Sequence, residues 1–99
     1  MGRMTVPESQ RIRILLVDDH AVVRNGFRRI LVAQGDLEVV GEASNGRQAI
    51  EMASALRPHL VVMDIAMPDL NGIEATRQIT RDHPSTRVLA LSMQKDAVY

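Results

Sequence analysis

Four polar side chains in this 99-residue chain come directly after short apolar runs: Asp18, Asp19, Asp64 and Ser92. Carboxylate oxygens, together with carbonyl oxygens and water, are the ligands that Mg2+ takes in proteins. Carboxylates that lie within a few ångströms of one another also repel, unless a cation compensates their charge. These residue types therefore indicate a cation-binding site, provided that the fold brings them together.

Each of these residues also has an ordinary structural explanation. An Asp-Asp pair after an apolar run is more often a turn or a helix cap than a metal site. A single Asp or Ser after a strand carries little information. A site can therefore form only if the strands and helices bring all four residues together.

The apolar residues alternate between two spacings that predict strands and helices in turn. Short runs rich in branched side chains predict strands at Ile12–Val17, Leu37–Ala43, Leu60–Asp64 and Arg87–Ser92. Helical spacing predicts helices from Val22 to near Gly35, from Arg47 to Leu56 and from Ile73 to Arg81, with another beginning at Asp96. This alternation predicts an α/β fold with a parallel sheet and helices on both faces. Ligands bind such sheets at the carboxyl ends of the strands, which is where the four polar residues lie.

The composition limits the class of protein. Phe27 and Tyr99 are the only aromatic residues, so the core must be aliphatic. Twelve basic residues balance twelve acidic ones, which gives no electrostatic reason for this segment to bind nucleic acid. There are no cysteines, which excludes disulfides and a cysteine-based zinc site. We predict a flexible tail over residues 1–11 and a domain over residues 12–99. Without an apolar run of membrane-spanning length, we expect a cytoplasmic protein with no membrane partner.

Several segments resemble the receiver domains of two-component response regulators. The segment Ile14–His20 reads Ile-Leu-Leu-Val-Asp-Asp-His and is similar to the start of these domains. The segment Asp64–Gly72 reads Asp-Ile-Ala-Met-Pro-Asp-Leu-Asn-Gly and is similar to their phosphorylation loop, while Leu91-Ser92 resembles the Ser/Thr of their fourth strand. The resemblance implies a flavodoxin-like, doubly wound parallel sheet with strand order 2-1-3-4, from which the family's fifth strand and fifth helix are missing. It also implies that Gly72 permits a tight turn into the third helix.

Within that family, three segments resemble the regulators that carry a LuxR-type helix-turn-helix output domain: Asp18–His20, Val23–Gly26 and Leu37–Ala43. This resemblance implies that the chain controls transcription through a DNA-binding domain that is absent from the 99 residues. The implied partners are a sensor histidine kinase, which donates the phosphoryl group, and a second copy of the chain.

The resemblance also implies a role for each site residue. Asp64 would be the phosphoacceptor and would form an aspartyl phosphate, and Ser92 would contact the phosphoryl oxygens. Mg2+ would be held by Asp64, directly by Asp19, through water by Asp18, and by the backbone carbonyl of Ala66. Such a domain is not an enzyme, because its phosphotransfer and dephosphorylation act only on itself.

The chain departs from the family pattern at one functional position. Receiver domains have a lysine at the end of the fifth strand, whereas the single lysine here, Lys95, comes three residues after Ser92. The lysine role is therefore not assigned to Lys95. An alternative remains open, in which the chain is a phosphorylation-incompetent receiver fragment that acts only as a protein-interaction module.

Two other classes of function fit the sequence poorly. The segment Gly41–Gln48 faintly resembles a phosphate-binding loop, but it lacks the Lys-Ser/Thr pair that handles phosphate and metal. A metal-dependent phosphatase is disfavoured because no second pairing of a nucleophile with an acid is seen. We assign His20 to the start of the first helix and not to the metal.

Overall fold

The computed structural model describes residues 6–65 and 72–91. One exposed turn of 3-10 helix, Glu8–Gln10, precedes the first strand. The remaining elements are β1 (Ile12–Val17), α1 (Ala21–Val32), β2 (Leu37–Ala43), α2 (Gly46–Leu56), β3 (Leu60–Asp64), α3 (Gly72–Asp82) and β4 (Arg87–Leu91). Ser92 and the helix predicted to begin at Asp96 lie outside the described residues. No helix in the described ranges is long and apolar enough to cross a membrane.

The four strands form one parallel sheet in the order β2-β1-β3-β4, which confirms the predicted fold class. The chain steps from β1 to β2 on one side, then crosses back past β1 to β3 and continues to β4. Helix α1 packs on one face of the sheet and α2 and α3 pack on the other, as the usual right-handed crossovers predict for this strand order. The direction of winding reverses between β1 and β3, so the crevice at the carboxyl ends of these two strands is the expected ligand site.

The core is aliphatic, as the composition predicts. Successive side chains of a strand point to opposite faces, so β1 and β3 contribute to two buried clusters. The cluster under α2 and α3 consists of Leu15, Val17, Ala43, Ala49, Ala53, Val61, Met63, Ala75 and Ile79. The cluster under α1 is smaller and consists of Ile14, Leu16 and Val62, with Phe27 and Leu31 packed against it.

Helix α1 packs on the sheet with a narrower apolar face than its sequence suggests. Phe27 and Leu31, which are four residues apart on one face, contact the smaller cluster. Val22 and Ile30 belong to the same apolar pattern but are exposed. The spacing therefore predicted the helix correctly but did not identify which of its apolar side chains are buried.

The turn into α2 uses its polar side chains for helix capping. The Asn45 side chain accepts a hydrogen bond from the Gln48 N–H at 2.8 Å, and Gln48 Oε1 accepts one from the Ser44 N–H at 2.8 Å. The bond to Asn45 satisfies a donor that the first turn of a helix leaves without a partner, and the bond from Ser44 ties the residue before the N-cap to the same turn. Capping thus accounts for Ser44, Asn45 and Gln48 in the segment that faintly resembles a phosphate-binding loop.

Candidate functional site

The turn between β1 and α1 fixes the position of Asp18. Its N–H donates to the Ala43 carbonyl oxygen at 3.0 Å, and this bond continues the pairing with β2 by one residue. Its Oδ1 accepts from the His20 N–H at 2.8 Å, which closes an Asx turn ahead of α1. Because the Asp18 side chain is only 6% exposed, this carboxylate is largely committed to the turn.

Asp19 and His20 lie at the outer side of the same turn. The Asp19 side chain is 25% exposed, and its Oδ1 lies 2.9 Å from His20 Nδ1. One ligand atom from each of Asp18, Asp19 and His20 lies within 4.8 Å of the others. His20 occupies the N-cap position of α1, where the sequence placed it, but its contact with Asp19 was not predicted.

Asp64 ends β3 at the same edge of the sheet, and its side chain is buried. Val17 pairs with Met63 in the parallel register, so Asp18 and Asp64 come next on neighbouring strands and are level. Neighbouring strands lie about 4.8 Å apart. The Asp64 carboxylate does not belong to the compact group of ligand atoms formed by Asp18, Asp19 and His20. It shares with Asp18 a cavity of about 10 Å³, which is at the lower limit of what can hold one water molecule.

The start of α3 packs directly against the end of β3. The Gly72 N–H donates to the Ile65 carbonyl oxygen at 3.2 Å, and the Ile65 N–H donates to the Leu91 carbonyl oxygen at 3.0 Å. A Cβ atom at position 72 would overlap the Asp64 carbonyl oxygen and the Ile65 Cα, and would lie 2.9 Å from the Asp64 carbonyl carbon. Gly72 therefore allows a close approach of backbones beside Asp64, a more specific reason for glycine than the tight turn expected from the sequence.

Two predicted site residues, Ala66 and Ser92, lie outside the described residues, as do residues 67–71 of the predicted loop. Leu91, which precedes Ser92 in the chain, pairs in register with Asp64. The roles assigned to Ala66 and Ser92 stay predictions. Lys95 also lies outside the described residues, so its exclusion from the family's lysine role stays a prediction as well.

Arg24 is a residue at this edge that the sequence analysis did not single out. Its Nη1 donates to the Asp18 carbonyl oxygen at 2.6 Å, and its Nε donates to Glu42 Oε1 at 3.2 Å. Arg24 also lines the small cavity with Asp18 and Asp64. In sequence it is one of several arginines on α1, and only its distance of six residues from Asp18 distinguishes it.

Comparison with known proteins identifies the family. The pattern of the family described as the response regulator receiver domain matches residues 14–99. The chain belongs to this family. It is thus a receiver domain of a two-component response regulator, as its resemblance to that family implied.

The receiver domain is similar to several characterised regulators. It is 48% identical to the response regulator protein VraR of Staphylococcus aureus over 81 residues. The matched region makes up 82% of this chain and 39% of VraR. The response regulator domain of Thermotoga maritima CheB is 44% identical with a TM-score of 0.77, covering 83% of this chain and 60% of that one. A LuxR-family two-component response regulator from an Aurantimonas species is 39% identical, with a TM-score of 0.80. That match covers 86% of this chain and 61% of the Aurantimonas chain. The receiver domain thus spans 39% of the length of a curated relative.

Proposed function

We propose that this receiver domain accepts a phosphoryl group on Asp64 from a sensor histidine kinase, with Mg2+ bound beside it. The observation that supports the proposal most strongly is the parallel register, which sets Asp64 level with Asp18 at the point where the sheet reverses its winding. The donor chemistry fits Mg2+, because the carboxylates of Asp18 and Asp19 offer oxygen ligands and that of Asp19 is partly open to solvent.

The proposed reaction forms one bond and breaks one. A carboxylate oxygen of Asp64 attacks the phosphorus of a phosphohistidine, the P–N bond breaks, and the imidazole leaves and takes up a proton. Water later attacks the aspartyl phosphate and releases inorganic phosphate, so the domain acts only on itself and is not an enzyme for other substrates. When bound, Mg2+ supplies positive charge against the carboxylates and the phosphoryl oxygens. Asp19 would hold it directly, together with Asp64, the Ala66 carbonyl and, through water, Asp18. Ser92 would contact the phosphoryl group.

The proposal extends to an output domain that would act together with this receiver domain. The similarity to a LuxR-family response regulator supports an output domain of the LuxR type, which would bind DNA. We extend the proposal to a role in transcription regulation in the cytoplasm. Contact with DNA would be made by the output domain, because the receiver segment carries no net charge. A second copy of the chain is a further proposed partner.

A phosphorylation-incompetent interaction module remains the second candidate function. The sequence feature behind it is Lys95, which comes three residues after Ser92 and therefore does not match the lysine of the family pattern. In that case the chain would keep the fold and lose phosphotransfer. The two functions differ in one observable, which is the formation of an acyl phosphate.

Incubation of the folded chain with acetyl phosphate and Mg2+ is expected to give one phosphoryl adduct, detected by intact-mass spectrometry. Peptide mapping should place the adduct on Asp64. EDTA should suppress its formation, and hydroxylamine should release it, because an acyl phosphate is labile to that nucleophile. A folded chain that gives no adduct at any Mg2+ concentration would support the interaction module instead.

Asp19→Asn is expected to weaken Mg2+ binding more than Asp18→Asn does. Asp18 is largely buried and accepts the His20 N–H, a bond that asparagine can keep, whereas the partly exposed Asp19 carboxylate is better placed to bind a cation. The experiment is an Mg2+ titration of each variant, followed through amide NMR shifts of the β1–α1 turn. Equal losses, or a larger loss for Asp18→Asn, would contradict the direct role of Asp19.

A further inference from the structure

The side chain of Arg24 joins the turn that carries the two aspartates to the neighbouring strand. It reaches back from the first turn of α1, and its Nη1 donates to the Asp18 carbonyl oxygen at 2.6 Å. Hydrogen bonds from charged donors are stronger and shorter than those between neutral groups. The side chain is 19% exposed, so water competes only weakly for its donors.

Glu42 near the end of β2 holds the guanidinium group from the other side. Glu42 Oε1 accepts from Arg24 Nε at 3.2 Å. The second oxygen, Oε2, lies 3.5 Å from Nε of Arg28, one turn further along α1. Arg28 is 58% exposed, and no hydrogen bond joins it to Asp18 among the contacts of the described residues. Two arginines on one helix thus share a carboxylate, and Arg24 is the one that also contacts the turn that carries Asp18 and Asp19.

We propose that Arg24 is a positioning residue for the metal site, with Glu42 as the group that orients it. Through the Asp18 carbonyl, Arg24 restrains the turn from which the carboxylates of Asp18 and Asp19 project. The inference rests on the proposed function of this edge as an Mg2+ site. It adds two residues that do not themselves bind the cation.

An arginine suits this task better than a lysine. The planar guanidinium offers donors in fixed directions, so Nη1 and Nε serve Asp18 and Glu42 at the same time. A lysine ammonium at the same position keeps the charge but cannot reproduce the two-directional contact. The Arg24→Lys variant therefore tests whether a positive charge at this position is sufficient, or whether the two simultaneous hydrogen bonds to Asp18 and Glu42 are required.

The test compares the Mg2+ affinity of the 99-residue chain with that of Arg24→Met, Arg24→Lys, Glu42→Gln and Arg28→Met. Removal of a group that orients metal ligands typically weakens metal binding by about 10–100-fold, so Arg24→Met is expected to lose about tenfold. Arg24→Lys should recover only part of this loss, and Glu42→Gln should show a smaller one. Arg28→Met is the matched control, because it removes the same charge from the same helix and the same partner. Its affinity should stay close to that of the parent.

A second readout needs no metal. The amide NMR signals of Asp18, Asp19 and His20 should move in metal-free Arg24→Met and Arg24→Lys but not in Arg28→Met. If the parent chain bound no Mg2+, the proposed metal site would fail, whereas these amide signals would still decide whether Arg24 positions the turn. Equal losses of affinity in Arg24→Met and Arg28→Met would show an effect of charge alone and would overturn the proposal. If Arg24→Met did not fold, parent-like affinity and amide signals in both Arg24→Lys and Glu42→Gln would overturn it equally.

Discussion

Asp64→Asn is expected to abolish the phosphoryl adduct while leaving the domain folded. An amide has neither the charge nor the nucleophilicity of a carboxylate, so no acyl phosphate can form at this position. Asparagine has nearly the same shape as aspartate and fits the same buried place at the end of β3. It also removes one negative charge from an edge that carries Asp18 and Asp19, so we expect thermal stability at least equal to that of the parent.

The measurement is intact-mass spectrometry after treatment with acetyl phosphate and Mg2+, together with a thermal melt followed by circular dichroism. Asp36→Asn is a suitable control, because Asp36 is an exposed aspartate in the turn before β2, at the opposite edge of the sheet. That variant should be labelled to the same extent as the parent. An adduct of undiminished yield in Asp64→Asn would show that another residue accepts the phosphoryl group.

Gly72→Ala is expected to destabilise the domain by roughly 3 kcal/mol, the upper end of the usual cost of overpacking a core. The new methyl group would overlap backbone atoms of Asp64 and Ile65, and backbone cannot move aside as the end of a flexible side chain can. The loss is large beside the 5–15 kcal/mol by which domains of about this size are stable. Because the relief of this overlap must shift Asp64, phosphorylation should also fall in the fraction that remains folded.

Gly26→Ala makes the same chemical change in the middle of α1 and is expected to have the opposite sign. A Cβ atom at position 26 has no neighbour within 4 Å, and alanine favours helix over glycine by about 0.5–1 kcal/mol. Urea denaturation followed by circular dichroism measures both variants. If Gly72→Ala were as stable as Gly26→Ala, the close approach of α3 to Asp64 would not be the reason for a glycine at position 72.

Strands β1 and β3 were predictable from the sequence because each is a short, mainly apolar run that is closed by an aspartate. The run Ile12–Val17 ends at Asp18, and both its position and its length agree with β1. The level placement of Asp18 and Asp64 also follows from the strand order, although their chemical roles remain predictions. The irregularity in the pairing of β1 with β2, between Ile14 and Leu15, was not predictable. The apolar pattern of β2 does not specify a single register.

Other features depend on how the helices lie on the sheet, which local spacing does not contain. The exposure of Val22 and Ile30 follows from the narrow line along which α1 meets the strands. The bond from Arg24 to the Asp18 carbonyl depends on the angle at which the same helix leaves the turn. The overlap that excludes a side chain at Gly72 is equally a matter of two backbones meeting in space. Sequence reasoning therefore located the edge and its carboxylates and missed the groups that hold them in place.

The small cavity beside Asp64 also gives this domain a natural spectroscopic probe. Phe27 lines it, and the chain has no other phenylalanine and no tryptophan. The ring current of an aromatic side chain displaces the NMR signals of nearby methyl groups, by an amount that falls steeply with distance. Methyl-bearing side chains of Leu16, Val62 and Leu91 line the same cavity. Their methyl resonances should therefore register small displacements of the strand ends on either side of Asp64, in an unlabelled sample and without an added dye.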